Sequence, residues 1–145
     1  GPLSFLLHLI RHQIQTPLNS IYTMANAINW FEIPAANFER ACKFYGAMFE
    51  SDIHEQSLNG LQMGFLPAGN QAVGGAVVTG PGYQPSLQGS LIYLNGGDDL
   101  GEALGRVEAA GGKIEVPKTK ISDEIGFMAI FHDSESNRVA LHSRG

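Results

Sequence analysis

The sequence predicts an α+β fold of two βαβββ modules, and three observations lead there. An alternating strand at Trp30–Ile33 runs into an amphipathic helix. Its apolar residues Phe38, Ala41, Cys42, Tyr45, Met48 and Phe49 fall at offsets 0, 3, 4, 7, 10 and 11, one continuous stripe at a helical period. The stripe returns 62 residues later as Leu100, Ala103, Leu104, Val107 and Ala110. Strand-like runs follow each helix, and the first pair is joined by Asn59-Gly60, the dipeptide that favours a tight hairpin turn.

In chain order, residues 1–23 have no counterpart in the second copy and form an N-terminal extension. Leu3–Ile10 is apolar but too short to span a bilayer, which takes about 20 residues. No basic segment precedes it as a secretory signal requires. The extension suits a short helix ending before Pro17. Gly1-Pro2 resembles the remnant of a cleaved tag, and Met24 stands where a start residue would.

The first module occupies 24–80. Its opening strand turns Phe31 and Ile33 to one side and Trp30 and Glu32 to the other. Asn37 precedes the helix, where a short polar side chain accepts from the orphan N–H groups of the first turn. Strands are expected at Asp52–Leu58, Leu61–Leu66 and Gln71–Thr79. The last contains Gly74-Gly75, which signals a bulge or the close approach of a ligand or another backbone.

Residues 81–88 are a linker by composition, and the second module occupies 89–145. It opens on a strand at Ser90–Leu94. Asp99 lies in the capping place with Glu102 three residues on, close to a capping box. A helix over 99–111 ends at Gly111-Gly112. Strands follow near Lys113–Val116, Gly126–His132 and Arg138–Ser143, the last two joined by a polar turn at Asp133–Asn137. Lys118 and Lys120 read as solvated residues at a strand end. His54 and His132 have no convergent partner visible in the sequence.

A net charge of −5 on 145 residues offers no basic footprint for nucleic acid. No stretch suits a membrane span. The one cysteine, Cys42, lies on the buried stripe, which rules out an intrachain disulfide and fits a reducing, cytoplasmic compartment. An apolar site raises a thiol pKa, so Cys42 reads as packing rather than a nucleophile.

Three stretches, INWFEIPAANFERACKFY, GSLIYLNGGDDLGEALGRVEAAGGKI and FHDSESNRVALHS, occur in an order that resembles the vicinal oxygen chelate family, also called glyoxalase/bleomycin-resistance/dioxygenase proteins. The resemblance covers about 27–143 and implies paired modules curled as a mixed sheet around a cleft, commonly in dimers. It also implies a divalent metal held from the first and last strands of each module. Here those places fall on Trp30, on Gly74 or Gly75, on Ser90 and on Ala140. None supplies an imidazole or carboxylate, so no metal or other cofactor is expected.

Pleat alternation fills the implied cleft with other groups. Val139 and Leu141 face the helix, which turns Arg138, Ala140 and His142 inward. Trp30 and Glu32 join them from the first strand, and Ser90, Ile92 and Leu94 from the strand opening the second module. The expected ligand-binding residues are therefore Trp30, Ser90, Ile92, Arg138 and Ala140. Glu32 and His142 are candidates for an acid–base pair. The resemblance implies a binding protein of the bleomycin-resistance type, taking a small organic molecule and associating as a homodimer. The alternative is a lyase or isomerase related to lactoylglutathione lyase, working through Glu32 and His142 or an atypical metal site.

Overall fold

Asn37 and Asp99 stop the chain and start helices at both repeated positions. The Asn37 Oδ1 accepts from the Arg40 N–H at 3.0 Å, and the Asp99 Oδ1 accepts from the Gly101 N–H at 2.8 Å. Both caps have extended backbone, as that role requires. In the computed structural model, which describes residues 26–145, the elements are β1 (Trp30–Pro34), α1 (Phe38–Phe49), β2 (His54–Leu58), β3 (Leu61–Phe65) and β4 (Gly74–Thr79). They continue with β5 (Tyr93–Asn95), α2 (Leu100–Leu104), β6 (Lys113–Ser122), β7 (Gly126–His132) and β8 (Arg138–Ser143). The extension at 1–23 lies outside the described residues.

The order is strand, helix, three strands, twice. Each module makes a four-stranded mixed sheet, β1-β4-β3-β2 and β5-β8-β7-β6, in which the opening strand runs parallel to the closing one. Among the described residues the two sheets are not joined by a strand ladder. One core holds them together: Ile33, Tyr45 and Val77 of the first module pack in the same cluster as Leu100, Phe131 and Leu141 of the second. Phe44, outside the expected helical stripe, is 1% exposed. Its ring lies 6.0 Å from that of Phe131 across the module boundary.

Asn59 and Gly60 both take positive φ, 52° and 80°, the geometry whose twist matches a two-residue hairpin. Gly75 is explained by its neighbour on β1. A Cβ there would lie 2.4 Å from the Phe31 ring, so the missing side chain makes room for Phe31 rather than for a ligand.

Several expectations are corrected. The helix over 99–111 is α-helical only at Leu100–Leu104 and continues as turns to Gly111. Gly101 and Gly105 weaken helical propensity, and tighter bonds such as Val107 N–H to Leu104 O take over. Val107 is still fully buried. Lys118 and Lys120 lie within β6, not at its end. The Lys118 ammonium pairs with Asp99 at 2.7 Å and sits 4.5 Å from the Phe127 ring centre.

Pleating of β5 is also one residue out of step with the expectation. Leu94 points into the core beside Leu141, while Tyr93 and Asn95 share a face with Ala140 and His142. The run Leu91-Ile92-Tyr93-Leu94 is apolar at both parities, so alternation cannot choose between them.

Candidate functional site

On the face of each sheet turned away from the shared core, β1 and β8 carry the chemistry. Ile33 and Ala35 are buried in the core, which leaves Trp30, Glu32 and Pro34 on the open face. Glu32 is held there from two sides. The Tyr83 hydroxyl donates to its Oε1 at 2.6 Å, and the Trp30 Nε1–H donates to its Oε2 at 3.3 Å. The bond to Glu32, then burial, then the carboxylate charge raise the Tyr83 phenol above its ordinary value. Tyr83 belongs to the linker, which the sequence reads only as a connection. It packs on Met63, Ala76 and Val78 and so covers part of the first module's open face.

The second module builds a charged cluster on its own open face. Arg138 Nε lies 3.1 Å from both oxygens of Glu115, and the His132 Nε2 lies 2.9 Å from Glu115 Oε1. These two bonds, Arg138 first, hold the Glu115 carboxyl down to about 2 against desolvation. His132 thus has a partner that the sequence did not reveal. Glu115 lies on the neighbouring strand β6, whose register is shifted by bulges, and pattern alone does not place it.

A cavity of about 200 Å³ lies at the seam between the modules. Glu32 enters it from β1 and Arg138 from β8, with Ser90 and Ile92 alongside, and the linker supplies Gln84, Ser86 and Gln88. Four sequence-expected residues, Glu32, Ser90, Ile92 and Arg138, therefore line one cavity. Three others do not. Trp30 stands beside Glu32, 42% exposed, with its ring 5.9 Å from Phe65. Ala140 is fully buried. His142 lines a different cavity with Tyr93, Ile121 and Ile125, and its Nε2 lies 2.7 Å from the Ile125 carbonyl. Glu32 and His142 share no hydrogen bond.

The β7–β8 turn buttresses the seam. Asn137 donates to the Pro34 carbonyl at 2.7 Å and accepts from the Ser86 N–H at 3.1 Å, tying β1 and the linker to β8. Glu135, fully enclosed, accepts from Arg40 Nε at 2.6 Å and from the Asn37 N–H at 2.7 Å. Burial pushes its pKa up, but the bonds from Arg40, Asn37 and Ser134 prevail and leave it lowered.

Solved structures share this architecture. A glyoxalase/bleomycin resistance protein from Albidiferax ferrireducens superposes with a TM-score of 0.62 at 18% identity, over 83% of this chain and 100% of that one. The chain has the glyoxalase/bleomycin-resistance fold. Glyoxalase I from Zea mays superposes with a TM-score of 0.61 at 16% identity over 81% of this chain. The chain spans only 44% of the maize protein's length. An antibiotic-binding protein from Streptomyces gives 0.57 at 22% identity, over 83% of this chain and 97% of that one. No protein-family model and no curated protein matches the sequence.

The residues at the metal-ligand places that the resemblance implies do not fit a divalent ion. The Trp30 indole is a donor only, Gly74 and Gly75 have no side chain, and the Ala140 methyl is buried. Ser90 alone is not a site. Among the described residues no three His, Cys, Asp or Glu side chains cluster in a way that could hold a metal ion. No helix among them is long and apolar enough to cross a membrane.

Proposed function

We propose that the protein binds a small organic molecule in the seam cavity, without a metal at the places the resemblance implies. The observation that carries this reading is the convergence of Glu32 and Arg138, from different modules, on one cavity with Ser90 and Ile92. A few placed polar groups against apolar walls are what orient a ligand in a small-molecule site. Both charges already have partners, Glu32 in Tyr83 and Trp30, and Arg138 in Glu115. The hydrogen bonds left for a ligand come from the Gln84, Gln88 and Ser90 side chains, which suits a polar ligand without a strong net charge. The Streptomyces neighbour's role in binding an antibiotic supports a binding function for a fold of this kind. An acid–base role for Glu32 with His142 draws no support from two groups that line separate cavities.

Among the described residues the edge strands β1, β2, β5 and β6 have backbone groups without ladder partners, which favours association of two copies. We assign a homodimer on that ground, and the cytoplasm on the ground of the lone buried thiol. Light scattering that returned only the 15.6 kDa monomer at micromolar concentration would reject the dimer.

The binding test is a thermal-shift screen of small organic compounds, with and without Zn²⁺, Mn²⁺ and Ni²⁺, followed by calorimetry on hits. Gln84→Ala, Gln88→Ala and Ser90→Val are each expected to weaken a hit several-fold, with no metal dependence. Undiminished binding in all three variants would remove the seam cavity from consideration. A strict metal requirement would overturn the metal-free reading.

A further inference from the structure

Exposed apolar side chains are not spread evenly over the molecule. Of the large hydrophobic residues that stay exposed, Tyr93 (51%), Ile121 (45%) and Ile125 (52%) line a single cavity of about 650 Å³ on the open face of the second module. The β6–β7 turn closes one side of it. Ile125 is held over β8 by the bond between its carbonyl and the His142 Nε2, and Tyr93 stands on the opposite side on β5.

The polar groups at this cavity point to one ligand charge. Arg144 is its only charged lining residue of either sign among the described residues, apart from the titratable His142. Among the described residues Arg144 forms no ion pair or side-chain hydrogen bond, unlike Arg40, Arg106 and Arg138, which all do. Asn95 spends its oxygen on the Gly97 N–H at 2.9 Å, which leaves its amide N–H groups as donors. Among the described residues no side-chain carboxylate lines the cavity, and the nearby main-chain carboxylate of Gly145 is engaged by the Ser143 hydroxyl at 2.8 Å, so an anion on Arg144 meets a cation and donors. A guanidinium donates two parallel N–H bonds to a carboxylate, and a flat ring between Tyr93 and the two isoleucines buries apolar surface now in water.

We propose that this cavity is a second ligand site, separate from the seam, that binds an aromatic carboxylate with its ring between Tyr93 and Ile121/Ile125 and its carboxylate on Arg144. The site does not depend on the seam reading, because the two cavities share no lining residue.

The probe is 2-naphthoate, titrated into the full 145-residue chain and followed by calorimetry and by NMR of the isoleucine methyls. Binding is expected, with ring-current shifts at Ile121 and Ile125. Arg144→Gln is expected to weaken it at least tenfold, and Ile125→Thr at least threefold. Neutral 2-naphthylmethanol should bind wild type and Arg144→Gln alike, which separates loss of the charge contact from damage to the fold. Arg138→Gln, at the seam, should leave naphthoate binding unchanged. Absence of binding at millimolar probe, equal affinity in wild type and Arg144→Gln, or loss of binding in Arg138→Gln would each overturn the proposal.

Discussion

The Tyr45 hydroxyl donates to Asp133 Oδ2 at 2.7 Å in the protein interior, so the helix of one module is bonded to the β7–β8 turn of the other. Asp133 also accepts from the Glu135 and Asn137 N–H groups and from the Asn137 side chain. Every acceptor bond of this buried carboxylate thus serves either the turn itself or its junction with α1. The modules share more than apolar surface.

Tyr45→Phe tests that junction. The substitution keeps the ring and deletes one bond, which is expected to cost about 1 kcal/mol at neutral pH. Burial first, then the Asp133 charge and the bond to it, raise the phenol well above its ordinary value of 10. A raised pKa contributes stability that is complete below the unfolded value and is lost as pH climbs above it. Wild type should therefore lose stability above about pH 10, and Tyr45→Phe should lose less over the same interval. Parallel denaturant curves for the two proteins across that range would show that another group governs the alkaline loss.

Asn137→Ala removes the bond to the Pro34 carbonyl, the acceptor of the Ser86 N–H and one donor to Asp133. Losing these buried partners is expected to cost about 2–3 kcal/mol. The linker should also loosen, seen as faster amide exchange at Ser86 relative to Val77 in the core. Uniform acceleration at both amides would instead mean that only global stability had changed.

Glu115 offers a titration test of the Arg138 geometry. With its pKa held down to about 2 by Arg138 and then His132, the side-chain carboxyl signal should not move between about pH 6 and 3. A depressed pKa contributes stability that is present above the ordinary carboxyl value of 4.5 and fades as pH falls towards about 2. Arg138→Gln should bring the titration back towards 4.5, with His132→Ala doing so to a lesser degree. A wild-type midpoint near 4.5 would mean that the ion pair does not persist in solution.

Helix stripes, caps and the hairpin dipeptide were legible in the chain because each is written in local spacing. Asn37, Asp99 and Asn59-Gly60 have the roles their types suggest, and Glu32, Ser90, Ile92 and Arg138 do meet at one cavity. What was illegible depends on register or on long-range packing. The apolar run at Leu91–Leu94 hides its pleat, which exchanged Leu94 for Tyr93 on the open face. The bulges of β6 conceal that Glu115 reaches His132 and Arg138. The linker's composition says nothing of Tyr83 lying on Glu32, and the polar turn at Asp133–Asn137 looks solvated until α1 is docked against it.

The glycines of β4 give the last test, because they invite a ligand reading that the packing contradicts. Gly75 pairs with Phe31 on the core side of the sheet, and a Cβ there would meet that ring at 2.4 Å. Backbone conformation does not demand glycine, since Gly75 is not among the residues with positive φ. Gly75→Ala is therefore expected to cost about 1–3 kcal/mol through overpacking alone. In a Phe31→Ala background the obstruction is gone, and the same substitution should become neutral or stabilising by a few tenths of a kcal/mol as the unfolded chain loses freedom. The two changes must then couple strongly in a double-mutant cycle of unfolding free energies. Additive effects would mean that Phe31 is not the reason for the glycine. A Gly75→Ala protein of unchanged stability that had lost ligand binding would restore the reading in which the strand keeps its surface bare for a ligand.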